Sequence, residues 1–165
     1  MTTSNGFRLL ELDPSFTDSL LEFEKENYSK RDKKGPIAFR ELMQETFLSL
    51  ENFPHVAGLH LESFPPKVGP QYTDAGWFFY KLAFTTPGVD SSGSRQGRLM
   101  LLVHRERKAI VPVYVYTHKQ FPGRVPPRSL SDILHAIVER QKKAQDMEIS
   151  AGPSGAAGIA KPESE

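Results

Sequence analysis

The stretch Gly76–Thr117, GWFFYKLAFTTPGVDSSGSRQGRLMLLVHRERKAIVPVYVYT, constrains the fold of this chain more than any other. Its aromatic and β-branched residues fall into three runs, Trp77 to Phe84, Arg98 to Val103 and Ala109 to Thr117, parted by a Gly/Ser loop and by the charged turn HRERK. Runs of that length between turn residues predict three strands of an antiparallel meander. Successive side chains of a strand point to opposite faces. Phe78, Tyr80, Leu82 and Phe84 therefore share a side and leave Lys81 on the reverse. Leu99, Leu101 and Val103 oppose Arg98 and Met100, and Val111, Val113 and Val115 oppose Tyr114, Tyr116 and His118. The apolar sets predict the core side, against which helices pack. The reverse face, with Lys81, Arg98, Tyr116 and His118, is expected to be solvated. Two fixed cations, an imidazole and aromatic surface suit a nucleic-acid phosphate. They equally suit the wet side of a two-layer protein, and alternation does not choose between these.

The net charge of +1 conceals an uneven distribution. Residues 1–80 hold 8 Lys/Arg against 12 Asp/Glu, residues 81–143 hold 12 against 4, and residues 144–165 hold 1 against 4. A basic block of this kind is the footprint expected for a polyanion or an acidic protein partner. The chain has no cysteine, which excludes disulfides, thiolate nucleophiles and cysteine-bound zinc. Among the five histidines His55 and His60 alone come near a paired metal-ligand spacing and they lack a second pair, so neither a metal nor a cofactor is expected. No apolar run approaches the length of a membrane span, and MTTSNGF has no signal-like character, so a cytoplasmic protein without membrane contact is expected.

Upstream of the meander, Gly6 to Leu12 predicts a short strand and Asp13-Pro14 a helix start, since Asp accepts from free backbone N–H groups and Pro suits the first helical position. The first helix runs to about Tyr28, with Phe16, Leu20, Phe23 and Asn27 on one side. SKRDKKG is a charged turn, a solvated loop on the ordinary reading and a phosphate contact on the other. After Pro36, Phe39, Leu42, Met43, Thr46, Phe47 and Leu50 form one apolar stripe, so a helical hairpin is expected. Residues 51–75 predict an irregular link, with His60 to Phe64 a candidate short strand. Pro112 predicts an edge position or a bulge. Beyond the meander, HKQFPGRVPPRS predicts a loop carrying Lys119, Arg124 and Arg128. Ser129, with Asp132 in capping-box style, predicts the start of a short helix that buries Leu130, Ile133, Leu134, Ile137 and Val138. The fold class is α+β: a small antiparallel sheet, made of the N-terminal strand and the meander, packed on a helical hairpin, with a short C-terminal helix. Residues 1–5 are expected to be flexible, 6–143 to form one domain and 144–165 to be disordered.

The order strand, helix, helix, link, meander, helix resembles the RelE/ParE superfamily of bacterial toxin–antitoxin systems. FFYKLAF, then GRLMLLV, then AIVPVYVYTHK and SLSDILHAIVE carry the resemblance, which is best over residues 77–140. It implies a ribosome-dependent mRNA endonuclease that attacks the phosphodiester with the RNA's own 2′-hydroxyl without a metal, and an acidic antitoxin partner. Lys81 and Arg98 match the basic positions of the first two meander strands, which implies phosphate stabilisation. His118 or Lys119 matches the basic position closing the third strand, and His118 suits acid or base work. Tyr116 is expected to stack on a base, with Lys119, Arg124 and Arg128 as further RNA contacts. Ala83 stands where ribonuclease members often carry a second basic residue, and the Thr85–Gln96 loop is long for the family. ParE-like members share the fold, inhibit DNA gyrase and cleave nothing, so a non-catalytic protein that binds RNA or an acidic partner is the alternative.

Overall fold

The computed structural model describes residues 6–66, 69–89, 96–123 and 125–160. Asp13 caps the first helix, α1 (Pro14–Asn27), by accepting from the Ser15 N–H at 2.9 Å, as the Asp-Pro pair predicts. The second, α2 (Lys34–Ser49), starts two residues ahead of Pro36, because Asp32 accepts from the N–H groups of Lys34 and Gly35 at 3.1 and 2.8 Å. Phe23 of α1 stacks on Phe39 of α2 with ring centroids 4.1 Å apart, and both are fully buried.

The α+β class holds, and the sheet is larger than the meander. Its five strands are β1 (Arg8–Leu9), β2 (Leu59–Glu62), β3 (Trp77–Thr85), β4 (Gln96–His104) and β5 (Ala109–Thr117), in the order β1-β5-β4-β3-β2. The meander strands pair antiparallel throughout, but β1 pairs parallel with β5, Arg8 opposite Ala109, so the sheet is mixed. Parallel pairing needs a long crossover, and here the whole chain between the two strands supplies it. The link adds a helix, α3 (Gly69–Asp74), that the sequence pattern does not show.

One face of the sheet packs on α1 and α2 through Tyr80, Leu82, Leu99, Leu101, Val103, Ile110 and Val115. The reverse face is not solvated along its length. Trp77, Phe79, Met100, Leu102, Val111 and Val113 also need cover, and the last helix, α4 (Pro127–Ala160), lays Leu130, Leu134, Ile137 and Val138 across them. The protein therefore has three layers rather than two. Alternation counts β5 wrongly because Leu101 faces Pro112 while Met100 faces Tyr114, which leaves Val113 as an extra residue. This bulge, at the proline that cannot donate to the ladder, sends Val111 and Val113 to the α4 side and Val115 to the α1 side.

The helix α4 begins at Pro127, with the Leu130 N–H reaching the Pro126 carbonyl, so Ser129 lies inside its first turn and is not the cap. Its backbone continues past the last buried residues to Ala160, through part of the segment expected to be disordered, and its side chains are exposed from Lys142 to Ile149. Arg140 forms an ion pair with Asp13, tying α4 to the cap of α1.

Since β1 ends at Leu9, the outer edge of β5 beyond Ile110 has no strand partner. Helix α1 closes it. The Val115 N–H donates to Ser19 Oγ at 3.1 Å, and the Thr117 hydroxyl donates to Asn27 Oδ1 at 3.1 Å. An edge covered in this way cannot recruit another chain.

Candidate functional site

Lys81, Arg98 and His118 share the α4-side face at the end of the sheet that α4 leaves open. Lys81 pairs in register with Met100, and Met100 with Tyr114; two residues along, Ala83 pairs with Arg98, and Arg98 with Tyr116. His118 directly follows Thr117, the last residue of β5. Beside Arg98, Gly97 leaves room for the Phe84 ring on the opposite face of the sheet, where an added Cβ would lie 2.1 Å from that ring. The Arg98 guanidinium is steadied by donating to the Gly97 carbonyl at 3.0 Å and to Gln96 Oε1 at 3.3 Å.

The His118 imidazole senses the two cations beside it. Partial burial, then the Arg98 and Lys81 charges, hold the His118 imidazole below its usual 6.5. The ring is therefore neutral near pH 7 and able to accept a proton. Titration of His118 followed by the NMR shifts of its ring protons is expected to give a value below 6.5, and Arg98→Gln to raise it by removing a like charge. An Arg98→Gln variant with an unmoved His118 titration would separate the two groups.

Two further groups join the site from β2. His60 stands directly opposite Lys81 in the ladder, on the same face, and is exposed. Glu62 holds Lys81 Nζ at 3.0 Å, with the lysine side chain 32% exposed. The residues alone hide both, because nothing in the link reveals that β2 pairs with β3. Lys81 is thus a compensated cation, in contrast to the free one that the sequence pattern leads one to expect.

The remaining expected contacts divide. Tyr116 is 1% exposed, with its ring 5.8 Å from that of Phe121 and its hydroxyl donating to the Gly123 carbonyl at 3.2 Å, so it is part of the core and not a stacking platform. The expectation fails because alternation places a residue on a face without saying what covers that face. Lys119 is exposed, and its Nζ donates to the Glu26 carbonyl near the end of α1 at 2.9 Å. Arg124 lies outside the described residues. Arg128 sits in the first turn of α4, and its side chain is also outside them. Among the described residues, no group of His, Asp and Glu is arranged to hold a metal ion, and no helix is long and apolar enough to cross a membrane.

No family model, curated protein or solved structure matches this chain.

Proposed function

We propose that the protein is a toxin-like, ribosome-dependent mRNA endonuclease whose reaction centre is Arg98, His118 and Lys81. The observation that carries this reading is the convergence of two cations and a neutral imidazole on one open end of the sheet. In the reaction, His118 takes the proton of a ribose 2′-hydroxyl as its oxygen attacks the adjacent phosphorus. The bond from phosphorus to the 5′-oxygen breaks, leaving a 2′,3′-cyclic phosphate, and the departing oxygen takes a proton from water. Arg98 and Lys81 stabilise the charge that builds on the phosphoryl oxygens, a role that otherwise falls to a metal. The Lys81–Glu62 ion pair, which offsets one of the two cations, favours a second reading. In it the same face holds RNA or an acidic protein without cleaving anything.

Induced expression in a bacterial host, with growth followed and the 5′ ends of cellular mRNA mapped, separates the two. The expected result is arrest with cleavage of translated messages. His118→Ala is expected to lower cleavage by about 10²–10⁴-fold, the usual worth of a general base, with the protein still soluble. Arrest without cleavage supports the binding reading, and normal growth with soluble protein overturns the nuclease.

A further inference from the structure

The α1–α2 turn, Ser29 to Gly35, meets the candidate site at the same end of the sheet. The Tyr28 hydroxyl donates to the Pro87 carbonyl at 2.6 Å, which pins the start of the turn to the loop that follows β3. Gly35 lies against the Tyr28 ring so closely that a Cβ would come within 2.4 Å of it, and Asp32 caps the two N–H groups that open α2. The turn is therefore held in one shape. Its four cations, Lys30, Arg31, Lys33 and Lys34, are all exposed, and no ion pair among the described residues engages any of them.

Between this turn and the Arg98 and His118 cluster stands Lys119, bonded to the Glu26 carbonyl just before the turn. The side chains of Asn27, Thr117 and Gln120 lock the same two segments together: Asn27 Nδ2 donates to Gln120 Oε1 at 3.2 Å, and the Thr117 N–H donates to the same oxygen at 3.1 Å. The cations thus run from the turn, across Lys119, round the end of the sheet past the His118 imidazole to Arg98 and Lys81. No apolar residue interrupts 29–34 or 117–120. A protein partner needs a desolvated apolar centre, whereas a phosphate backbone needs spaced cations and nothing else.

We infer that the Lys30–Lys34 turn is a second RNA-backbone subsite, continuous through Lys119 with the candidate reaction centre, and that it engages phosphates of the strand outside the reacting linkage. This rests on the RNA reading of the Arg98 and His118 cluster and gives that reading a longer footprint. It also assigns a role to a turn whose charges have no structural use, since Asp32 alone supplies its cap.

The test is binding of the full chain to fluorescent 2′-O-methyl uridine oligomers, which lack the attacking hydroxyl and cannot be cleaved, in two lengths of about 4 and about 15 nucleotides. The turn variant carries Lys30→Gln, Arg31→Gln, Lys33→Gln and Lys34→Gln and retains Asp32. A thermal melt equal to that of the wild type verifies its fold. It is expected to bind the short oligomer as the wild type does, to bind the long one at least about tenfold more weakly, and to lower the salt slope for the long one by about 3, near 0.7 per phosphate released. Arg98→Gln is expected to lose the short oligomer. Equal affinity of turn variant and wild type for the long oligomer, with the short one still bound, overturns the subsite and leaves the reaction centre standing. Loss of the long oligomer in the turn variant alone, with Arg98→Gln unchanged on the short one, supports the turn and removes the centre. Binding of neither oligomer by the wild type overturns both, and competition by polyglutamate at equal charge concentration replaces RNA with an acidic protein partner.

Discussion

Phe23→Ala is expected to destabilise the protein by about 3–5 kcal/mol, a large share of the roughly 5–15 kcal/mol that holds a typical domain together. The ring lies at the junction of three elements. It stacks on Phe39 of α2 with planes 6° apart and sits 6.0 Å from the Phe84 ring of β3, so no neighbour is free to fill the vacated space. The damage does not stay local. The Phe23 carbonyl accepts from Asn27 Nδ2 at 2.9 Å, and Asn27 in turn accepts from the Thr117 hydroxyl one residue before His118. Urea unfolding provides the measurement, with the midpoint of Phe23→Ala far below that of the wild type and Phe23→Leu in between. A loss under about 1 kcal/mol would mean that the helices close over the gap that the ring leaves.

The second large effect is at Asp13. Burial pushes its carboxyl up, but the hydrogen bonds from the Ser15 hydroxyl and N–H, together with the Arg140 guanidinium, outweigh this and leave its pKa below the usual 3.8. A carboxylate whose pKa is depressed in the folded state contributes stability that is complete above its unfolded value. That contribution is lost as pH falls through the folded value. Stability is therefore expected to fall as pH drops below about 4, with Asp13 contributing to the slope. Asp13→Asn keeps a capping oxygen and is expected to flatten that dependence. Asp13→Ala removes the cap as well, at a further cost of about 1–2 kcal/mol. Unfolding free energies of the three proteins between neutral pH and the acid transition measure this. If Asp13→Asn keeps the wild-type acid slope, the Arg140 pair contributes nothing to it.

The parts of the fold that local chemistry governs are readable from the residues. Asp13-Pro14 starts α1, the Phe39 to Leu50 stripe builds α2, and alternation assigns β3 and β4 to their faces, because caps and periodicities act over a few neighbouring residues. The start of α2, the cap of α4 and the short α3 are local features that the pattern misses, and the failures that shape the sheet are of longer range. Nothing near Arg8 or Leu59 states that one pairs parallel with Ala109 and the other antiparallel with Leu82. The single extra residue at Val113 shifts the alternation of half a strand. For the same reason Lys81, Arg98 and His118 come together as alternation implies, whereas the burial of Tyr116 and the hold of Glu62 on Lys81 depend on where the segment after β5 folds back and on what β2 pairs with.

The pairing of Arg8 with Ala109 also sets an order of events during synthesis. A strand at the start of the chain waits for one made near its end, and α1 waits with it, because its Ser19 and Asn27 bond to Val115 and Thr117. Contacts so distant in sequence make folding slow. The strand that closes the sheet ends one residue before His118, so the nascent chain can carry its helical hairpin well before Lys81, Arg98 and His118 are brought together. Completion of the sheet and gain of the centre are a single late step.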